Sequence, residues 1–391
     1  MIRKLIKVGG SSILNKDNFN NLINLIKSKD NDNSIFVISA FGKTSQILKN
    51  IAFSAKNNNK MDIEKELNKL FDFFHSLIDI QINLSKYYEN LLRILIGINI
   101  TRELTYKILD KILAYGELIS TELIKNYISD EIFKFDATDV IITDSNYGNA
   151  NPIIEISKEK FLKILKHNQA IKYLTQGFIG KDINNNITTM GFESSNLTAV
   201  LFANFLDLKE IFIYTNVNGI RNIDPSLYNE TKCIYSIDYD NAYNLSKLGL
   251  KLIYPKMIEI AKKNNIQILF SNFNNSGKEF TLINSNTQLK DSILICHKLK
   301  FKSDNNNFLH YSDNLINFKY SIANNSEDFS DVIFILYNIN QNNFFKFIIN
   351  SLDISKFKID NYDNNCIKII TEKNNFNYIL EKLVLYINKN N

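Results

Sequence analysis

The sequence predicts an α/β fold, a parallel-centred sheet between helices over residues 1–285, followed by a small α+β region of ferredoxin-like order over 292–391. Three observations predict it. Short apolar runs recur that end in glycine or small-residue turns and pass directly into helical patterns, the βα unit from which parallel sheets are built. Residues 60–130 carry an almost unbroken helical period of apolar residues. Residues 292–391 then change character, with little glycine and alternating apolar strands.

Taken in order, residues 3–8 make a buried-type strand that ends in Gly9-Gly10-Ser11-Ser12, after which Phe19, Leu22, Ile23 and Ile26 mark one helix face. Strand, two glycines, two hydroxyls, helix is a layout that cradles phosphates, because unpaired N–H groups and the helix dipole converge there. A tight βα turn with no ligand fits the same residues, for the spacing is neither that of a Walker loop nor GxGxxG. The strand Ser34–Ala40 ends in a second small-residue turn, Phe41-Gly42-Lys43-Thr44-Ser45, with a helix from about Ser45.

Within the helical stretch, Leu67, Leu70, Phe71 and Phe74, then Leu91, Leu92 and Leu95, then Leu104, Ile108, Leu109 and Ile112 mark successive faces. Ala114-Tyr115-Gly116-Glu117 places one glycine and one carboxylate in an apolar helix. Glu131–Asp136 reads as a strand, and a second short strand is bracketed by polar loops holding Asp136, Asp139 and Asp144. Aspartate caps turns far more often than it binds metal, so no metal site is assigned to these three.

Ile171–Thr175 is a strand that breaks at Gln176-Gly177-Phe178-Ile179-Gly180, an Asn184-Asn185-Asn186 turn makes a hairpin, and from Glu193 a helix shows Leu197, Val200, Leu201 and Leu208 on one face. Glu210–Thr215 is the next strand, ended by Asn216-Val217-Asn218-Gly219. Helices at 238–248 and 255–264, strands at Ile266–Phe270 and Thr281–Ile283, and a linker at Asn284–Asp291 complete the first region. The second reads strand Asp331–Asn338, helix Asn343–Leu352, strands Phe357–Asp360 and Cys366–Thr371, and helix Phe376–Ile387.

Composition narrows the function class. Hydrophobic residues make up 45% and charged residues 22%, the balance of a globular rather than a disordered chain. Twelve glycines, three prolines and no tryptophan, beside many Asn, Lys, Ile, Phe and Tyr, reflect AT-rich codons, so the asparagine runs are not a binding tract. Three scattered cysteines, Cys233, Cys296 and Cys366, form neither a disulfide framework nor a CxxC zinc pair, which fits a reducing cytosol. The net charge of +5 comes from lysines spread along the chain, with small clusters such as Lys298, Lys300 and Lys302, so no nucleic acid is expected as a partner. No apolar run is long enough to cross a membrane and no signal peptide opens the chain, so a cytoplasmic protein is expected.

Lys7-Val8-Gly9-Gly10-Ser11-Ser12, Ser39-Ala40-Phe41-Gly42-Lys43-Thr44-Ser45, Gly116-Glu117-Leu118-Ile119-Ser120-Thr121 and Thr175-Gln176-Gly177-Phe178-Ile179-Gly180 occur in this order. Tyr214-Thr215-Asn216-Val217-Asn218-Gly219-Ile220, Asp224-Pro225 and Lys251-Leu252-Ile253-Tyr254-Pro255 follow. Over residues 2–283 this series resembles the aspartokinase family. The resemblance implies the amino-acid-kinase fold with a C-terminal ACT-like region. It also implies transfer of the ATP γ-phosphoryl group to the β-carboxylate of L-aspartate, giving 4-phospho-L-aspartate, the first step of lysine, threonine and methionine biosynthesis. Two anions are brought into contact in such a reaction, so the site must neutralise charge and hold the reactants in line.

By match to the family motifs, Lys7 would be catalytic, lying on the transferring phosphoryl group, with the N–H groups of Gly9 and Gly10 on phosphate oxygens. ATP would lie on Lys7, Val8, Gly9, Gly10, Thr215, Asn216, Arg221, Ser226, Lys251 and Leu252, with Mg²⁺ bound to it. L-aspartate would lie on Ser45, Glu117, Glu193, Ser194 and Ser195, with Glu117 taking its α-ammonium. The family commonly ends in two ACT modules. One unit or an eroded pair is expected here, with a homodimer formed through it.

The sequence also departs from the family. Where the family has Arg-Gly-Gly-Ser-Asp, this chain has Phe192-Glu193-Ser194-Ser195-Asn196, so an arginine suited to a substrate carboxylate is replaced by an apolar ring. Asn216 stands where Asp is usual, Ser226 where Arg is, and Tyr254 where His is. Lys43 is a candidate replacement for the missing cation. These changes leave a second reading open, a catalytically impaired homologue acting as a regulatory or structural subunit.

Overall fold

In a computed structural model, the described residues are 2–301 apart from 58–59, 129–130, 192, 226–227, 229, 249, 251, 275–278 and 287–293, together with 329–337, 347, 353, 356–359 and 366–390. The chain packs as two compact units, 1–219 with 259–282 and 220–258 with 283–391.

The first unit opens with β1 (Lys4–Val8), α1 (Lys16–Lys27), β2 (Ser34–Ile38) and α2 (Thr44–Ser54). Three long helices follow, α3 (Lys60–Ser76), α4 (Ser85–Thr101) and α5 (Tyr106–Ile128), then β3 (Phe133–Lys134), α6 (Ala137–Val140), β4 (Ile142–Thr143) and α7 (Ile154–His167). Strand β5 (Lys172–Gln176), the hairpin β6 (Ile179–Asp182) and β7 (Ile187–Thr189), helix α8 (Ser194–Phe205) and β8 (Glu210–Thr215) come next.

Strand β1 lies between β2 and β8, β5 lies beyond β2, and β3 lies outside β5, every pair parallel. All residues of β2 and β5 are buried, as are Leu5 to Val8 of β1, which is why they read as continuous apolar runs rather than as alternating ones. The register pairs Lys7 with Val37 and Val37 with Thr175, so the turns after β1, β2 and β5 emerge at one edge of the sheet. Ligands of open α/β sheets bind at that carboxyl edge.

The helices follow their apolar periods. Phe19, Leu22, Ile23 and Ile26 of α1 are buried, and Asn15 caps the helix by accepting the N–H of Asn18 at 2.9 Å. Leu67, Leu70, Phe71 and Phe74 of α3 and Leu91 and Leu95 of α4 enter the same core. Helix α8 differs from expectation: it ends at Phe205, so Leu208 lies beyond it, and almost every residue of it is buried. It is an interior helix: Ser194, Ser195, Asn196 and Thr198 are buried along with Leu197, Val200 and Leu201, so burial does not follow one face. The stretch Asp136–Asp139, expected as a polar loop, is largely taken up by α6, which turns once over Ala137–Val140.

The second unit holds the β9 (Ile220–Arg221) and β10 (Cys233–Ile234) pair, β11 (Ser236–Asp238) and α9 (Tyr239–Leu248). Helix α10 (Pro255–Asn264) follows, then β12 (Gln267–Asn272), which belongs to the first unit and lies there parallel to β8, and β13 (Phe280–Asn284). Strand β14 (Leu294–Phe301) joins β15 (Phe329–Tyr337), β16 (Phe357–Ile359) and β17 (Cys366–Glu372) in an antiparallel sheet of order β14-β15-β17-β16, and α11 (Phe376–Asn390) buries Ile379 and Leu383. The helix expected over 343–352 and most of the linker expected over 284–291 lie outside the described residues. Strand β14 was not expected; Lys298 and Lys300, alternating with Leu299 and Phe301, carry its period-two pattern.

Candidate active site

Lys7 is the last but one residue of β1 and is only 5% exposed. Burial lowers its ammonium pKa to about 8, against the carboxylates of Glu193 and Glu117, which raise it. The chain then turns through Gly9 and Gly10. A Cβ on Gly10 would stand 1.6 Å from the carbonyl oxygen of Ala40, so only glycine lets the turn after β1 lie against the turn after β2. The two turns are stitched together by Gly42 N–H donating to Gly10 O at 2.8 Å and Ser39 N–H donating to Val8 O at 3.3 Å.

Residues Gly10–Ser12 form a single 3₁₀ turn, which leaves the N–H groups of Gly10 and Ser11 without an acceptor inside it. Ser12 Oγ beside them is buried with no hydrogen-bond partner. The N–H of Gly9 is different. It donates to Tyr214 O at 2.8 Å and so continues the β1–β8 ladder. The donors open to a phosphate are therefore those of Gly10 and Ser11, one residue further on than the Gly9–Gly10 pair expected from sequence.

Glu117 faces this edge from α5. Gly116 brings it there: a Cβ on Gly116 would meet Ala40 Cβ at 2.7 Å, so the helix packs against the β2 turn at that residue. Glu117 is 3% exposed; Oε1 accepts the N–H of Ala40 at 3.2 Å and Oε2 has no partner. Burial raises its carboxyl pKa to about 8, with the Ala40 bond and the Lys7 charge pulling the other way. Ser120, one turn along, accepts the N–H of Phe41 at 2.9 Å and fixes the same loop. Ser45 is half-buried in the first turn of α2, and Lys43 is exposed at its start.

Gly177 lets the start of α8 approach the end of β5, since a Cβ there would lie 2.5 Å from Ser195 Cβ. Ser194 Oγ is buried with no hydrogen-bond partner, and Ser195 is buried beside it. Glu193 precedes the helix with φ of 66°, the left-handed region that favours glycine. Phe192 lies outside the described residues. Thr215 is buried, and its hydroxyl is spent in the following turn, on Val217 O and Val217 N–H, both at 3.1 Å; Asn216 is exposed.

Lys7 thus feels the charges of both Glu117 and Glu193 in the first unit, with Ser194 and Ser195 at the start of the helix that Glu193 opens. In the second unit, Arg221 on β9 donates to Thr231 Oγ1 at 2.9 Å, and Leu252 has a φ of 77°. Ser226 and Lys251 lie outside the described residues. The three aspartates of 136–144 serve the fold. Asp136 accepts Gln176 Nε2 at 2.8 Å, Asp139 pairs with Lys181 at 3.3 Å, and Asp144 accepts the N–H of Asn151 at 2.9 Å. Sequence reasoning missed the Ala40 N–H and Ser120, although Ser120 stands three residues after Glu117, where a helix turn places it beside that carboxylate.

This arrangement places a buried cation, open N–H donors and a half-satisfied carboxylate at the carboxyl edge of a parallel sheet, which suits phosphoryl transfer between anions. The model of the amino acid kinase family matches residues 3–272, and the chain belongs to that family. Within it, the similar proteins include aspartokinases. Chloroplastic aspartokinase 1 of Arabidopsis thaliana is 27% identical over 316 residues, which is 76% of this chain and 54% of that protein. The aspartokinase of Chlamydia pneumoniae is 28% identical over 261 residues, 66% of this chain and 57% of that one. The chain spans a little over half the length of these relatives. The crystal structure of E. coli aspartokinase III in complex with aspartate and ADP has the same fold, with a TM-score of 0.77 at 18% identity, covering 97% of this chain and 99% of that chain. No helix among the described residues is long and apolar enough to cross a membrane.

Proposed function

We propose that this protein is an aspartate kinase, transferring the γ-phosphoryl group of ATP to the β-carboxylate of L-aspartate. The observation that carries the reading is the buried pair of Lys7 and Glu117 at one sheet edge, with Glu117 Oε2 left unpartnered beside the Gly10 turn. A buried carboxylate with an open oxygen is a receptor for an ammonium group, and a buried lysine is a receptor for a phosphoryl group. The similarity to aspartokinases supports aspartate as the amino acid, and the aspartate and ADP in the E. coli aspartokinase III complex support an adenine nucleotide as the donor.

In this reading, the N–H groups of Gly10 and Ser11 hold phosphate oxygens, and Lys7 neutralises charge on the group in transfer. Glu117 takes the α-ammonium of L-aspartate, a charge that lowers its raised carboxyl pKa so that it binds as the carboxylate, and Ser194, Ser195 and the N-terminus of α8 face the carboxylates of the substrate. ATP carries Mg²⁺ with it, whose charge offsets that of the phosphates. Residues 1–285 form the kinase domain, while 292–391 form one ACT-like region through which two copies dimerise, and the protein works in the cytoplasm.

The test is to trap the product with hydroxylamine, using purified protein, Mg-ATP and L-aspartate. Aspartyl hydroxamate formed by the wild type and lost in Lys7→Ala supports the reading. Folded wild type that binds ATP and forms no hydroxamate overturns it, and leaves a regulatory subunit as the reading to pursue.

A further inference from the structure

Asp110 lies seven residues before Glu117 on α5, two turns along the same helix face. It is 1% exposed, and both its oxygens are taken. Oδ2 accepts the N–H of Gly148 at 2.8 Å and the N–H of Thr189 at 2.9 Å, while Oδ1 accepts the Thr189 hydroxyl at 2.7 Å. Burial raises its carboxyl pKa to about 6 and these bonds lower it, so at pH 7.5 the group is ionised and accepts all three.

The residue it holds is the last of β7. From Thr189 the chain makes a short turn: Met190 N–H donates to Phe178 O at 3.0 Å, Gly191 has φ of 90°, Ser194 N–H donates to Gly191 O at 3.2 Å, and α8 begins. Thr189 O in turn accepts the N–H of Ala150 at 2.9 Å. One carboxylate therefore ties three segments together: the helix that carries Glu117, the turn at Gly148, and the strand that delivers Glu193, Ser194 and Ser195.

We infer that Asp110 is a positioning residue for the acceptor amino acid, holding Thr189 and, through it, Glu193, Ser194 and Ser195 at a fixed distance from Glu117. The inference rests on the proposed kinase reading for the identity of the acceptor. A turn held by a buried, charge-assisted clamp loses its register when the clamp is removed, because the three donors must then find water or stay unpaired. Nucleotide contacts at the Gly10 turn do not pass through this clamp.

The test uses the full chain with three variants. Asp110→Ala removes the clamp. Asp110→Asn keeps it, since one amide oxygen can accept both N–H groups while the amide nitrogen donates to the Thr189 hydroxyl. Thr189→Val removes a single bond and serves if Asp110→Ala does not fold.

Hydrogen exchange is read first and needs no turnover. In Asp110→Ala the amides of Gly148, Thr189 and residues 193–196 should exchange at least tenfold faster, with those of β1 and β2 unchanged. In the hydroxamate assay, KM for L-aspartate should rise at least tenfold, with KM for ATP within twofold of the wild type. Asp110→Asn should return KM for L-aspartate to within threefold, and Thr189→Val should lie between. A folded Asp110→Ala that keeps wild-type exchange at 193–196, or raises both KM values alike, overturns the inference. A wild type that makes no hydroxamate sinks the kinase reading, and exchange alone then decides whether Asp110 positions the turn.

Discussion

Glu117 is both a candidate ligand for the acceptor and a cost to the fold, and the two can be separated by pH. Its carboxyl is raised from an ordinary 4.5 to about 8, first by burial, so ionising it in the folded state costs on the order of 5 kcal/mol more than in the unfolded chain. The folded state then holds a proton between pH 4.5 and 8 that the unfolded state has released. Stability accordingly falls as pH rises through that window, by at most about 1.4 kcal/mol per pH unit from this group. Lys7 has the opposite sign. Its folded value of about 8 lies below its ordinary 10.5, so it stays charged up to pH 8, and above that its contribution rises with pH. Between pH 5 and 6 Asp110, raised to about 6, adds a slope of the same sign, but it is common to the wild type and to a Glu117 variant, so their difference from pH 5 to 8 reports Glu117. Glu117→Gln keeps the acceptor for Ala40 N–H and removes the ionisation. It should match the wild type in urea midpoint near pH 5 and exceed it by several kcal/mol in unfolding free energy at pH 8. Two curves that run parallel from pH 5 to 8 would refute the buried-carboxylate argument.

The glycines of the site make a graded series. Gly10→Ala sets a Cβ 1.6 Å from the backbone oxygen of Ala40, a clash that no side-chain rotation relieves, and should lose more than about 3 kcal/mol in chemical denaturation. Gly177→Ala meets Ser195 Cβ at 2.5 Å and should lose about 1–3 kcal/mol while raising KM for the acceptor more than for ATP. Glu193→Gly relieves a left-handed residue and should leave stability unchanged or raise it by up to about 1 kcal/mol. It also removes a carboxylate that holds Lys7 charged, so the alkaline limb of the pH–rate profile should move to lower pH; an unmoved limb would separate Glu193 from Lys7.

The frame of the first unit was legible because its strands are buried on both faces and its outer helices on one, and both conditions write themselves into apolar spacing. Phe19, Leu22, Ile23 and Ile26 were readable as a helix face from their intervals alone, and they are buried. Helix α8 was only half legible, since an interior helix has no period to read and its end at Phe205 is set by packing. Lys7 and Glu117 could be named only from the order of several motifs, since a lysine ending a strand and a glutamate on a helix are ordinary by themselves. Asp110 gave no signal, because what distinguishes it is three donors from residues 148 and 189, which come together only in the fold. The engagement of the Gly9 N–H by Tyr214 O is of the same kind, a matter of strand order rather than of composition.

The altered turn before α8 can be understood in the same terms. The family pattern has two glycines there, and this chain has Glu193 and Ser194, yet the backbone at Glu193 keeps a φ of 66° that suits the absent glycine. A left-handed non-glycine residue persists only where its surroundings over-determine it. Three constraints do so: Asp110 holds Thr189 on one side, Gly177 admits Ser195 on the other, and Gly191 turns between them with φ of 90°. The geometry of the turn thus belongs to its supports more than to its own residues. That is how Glu193 and Ser194 can stand in this stretch while Ser194 and Ser195 still open a helix beside the sheet edge that holds Lys7.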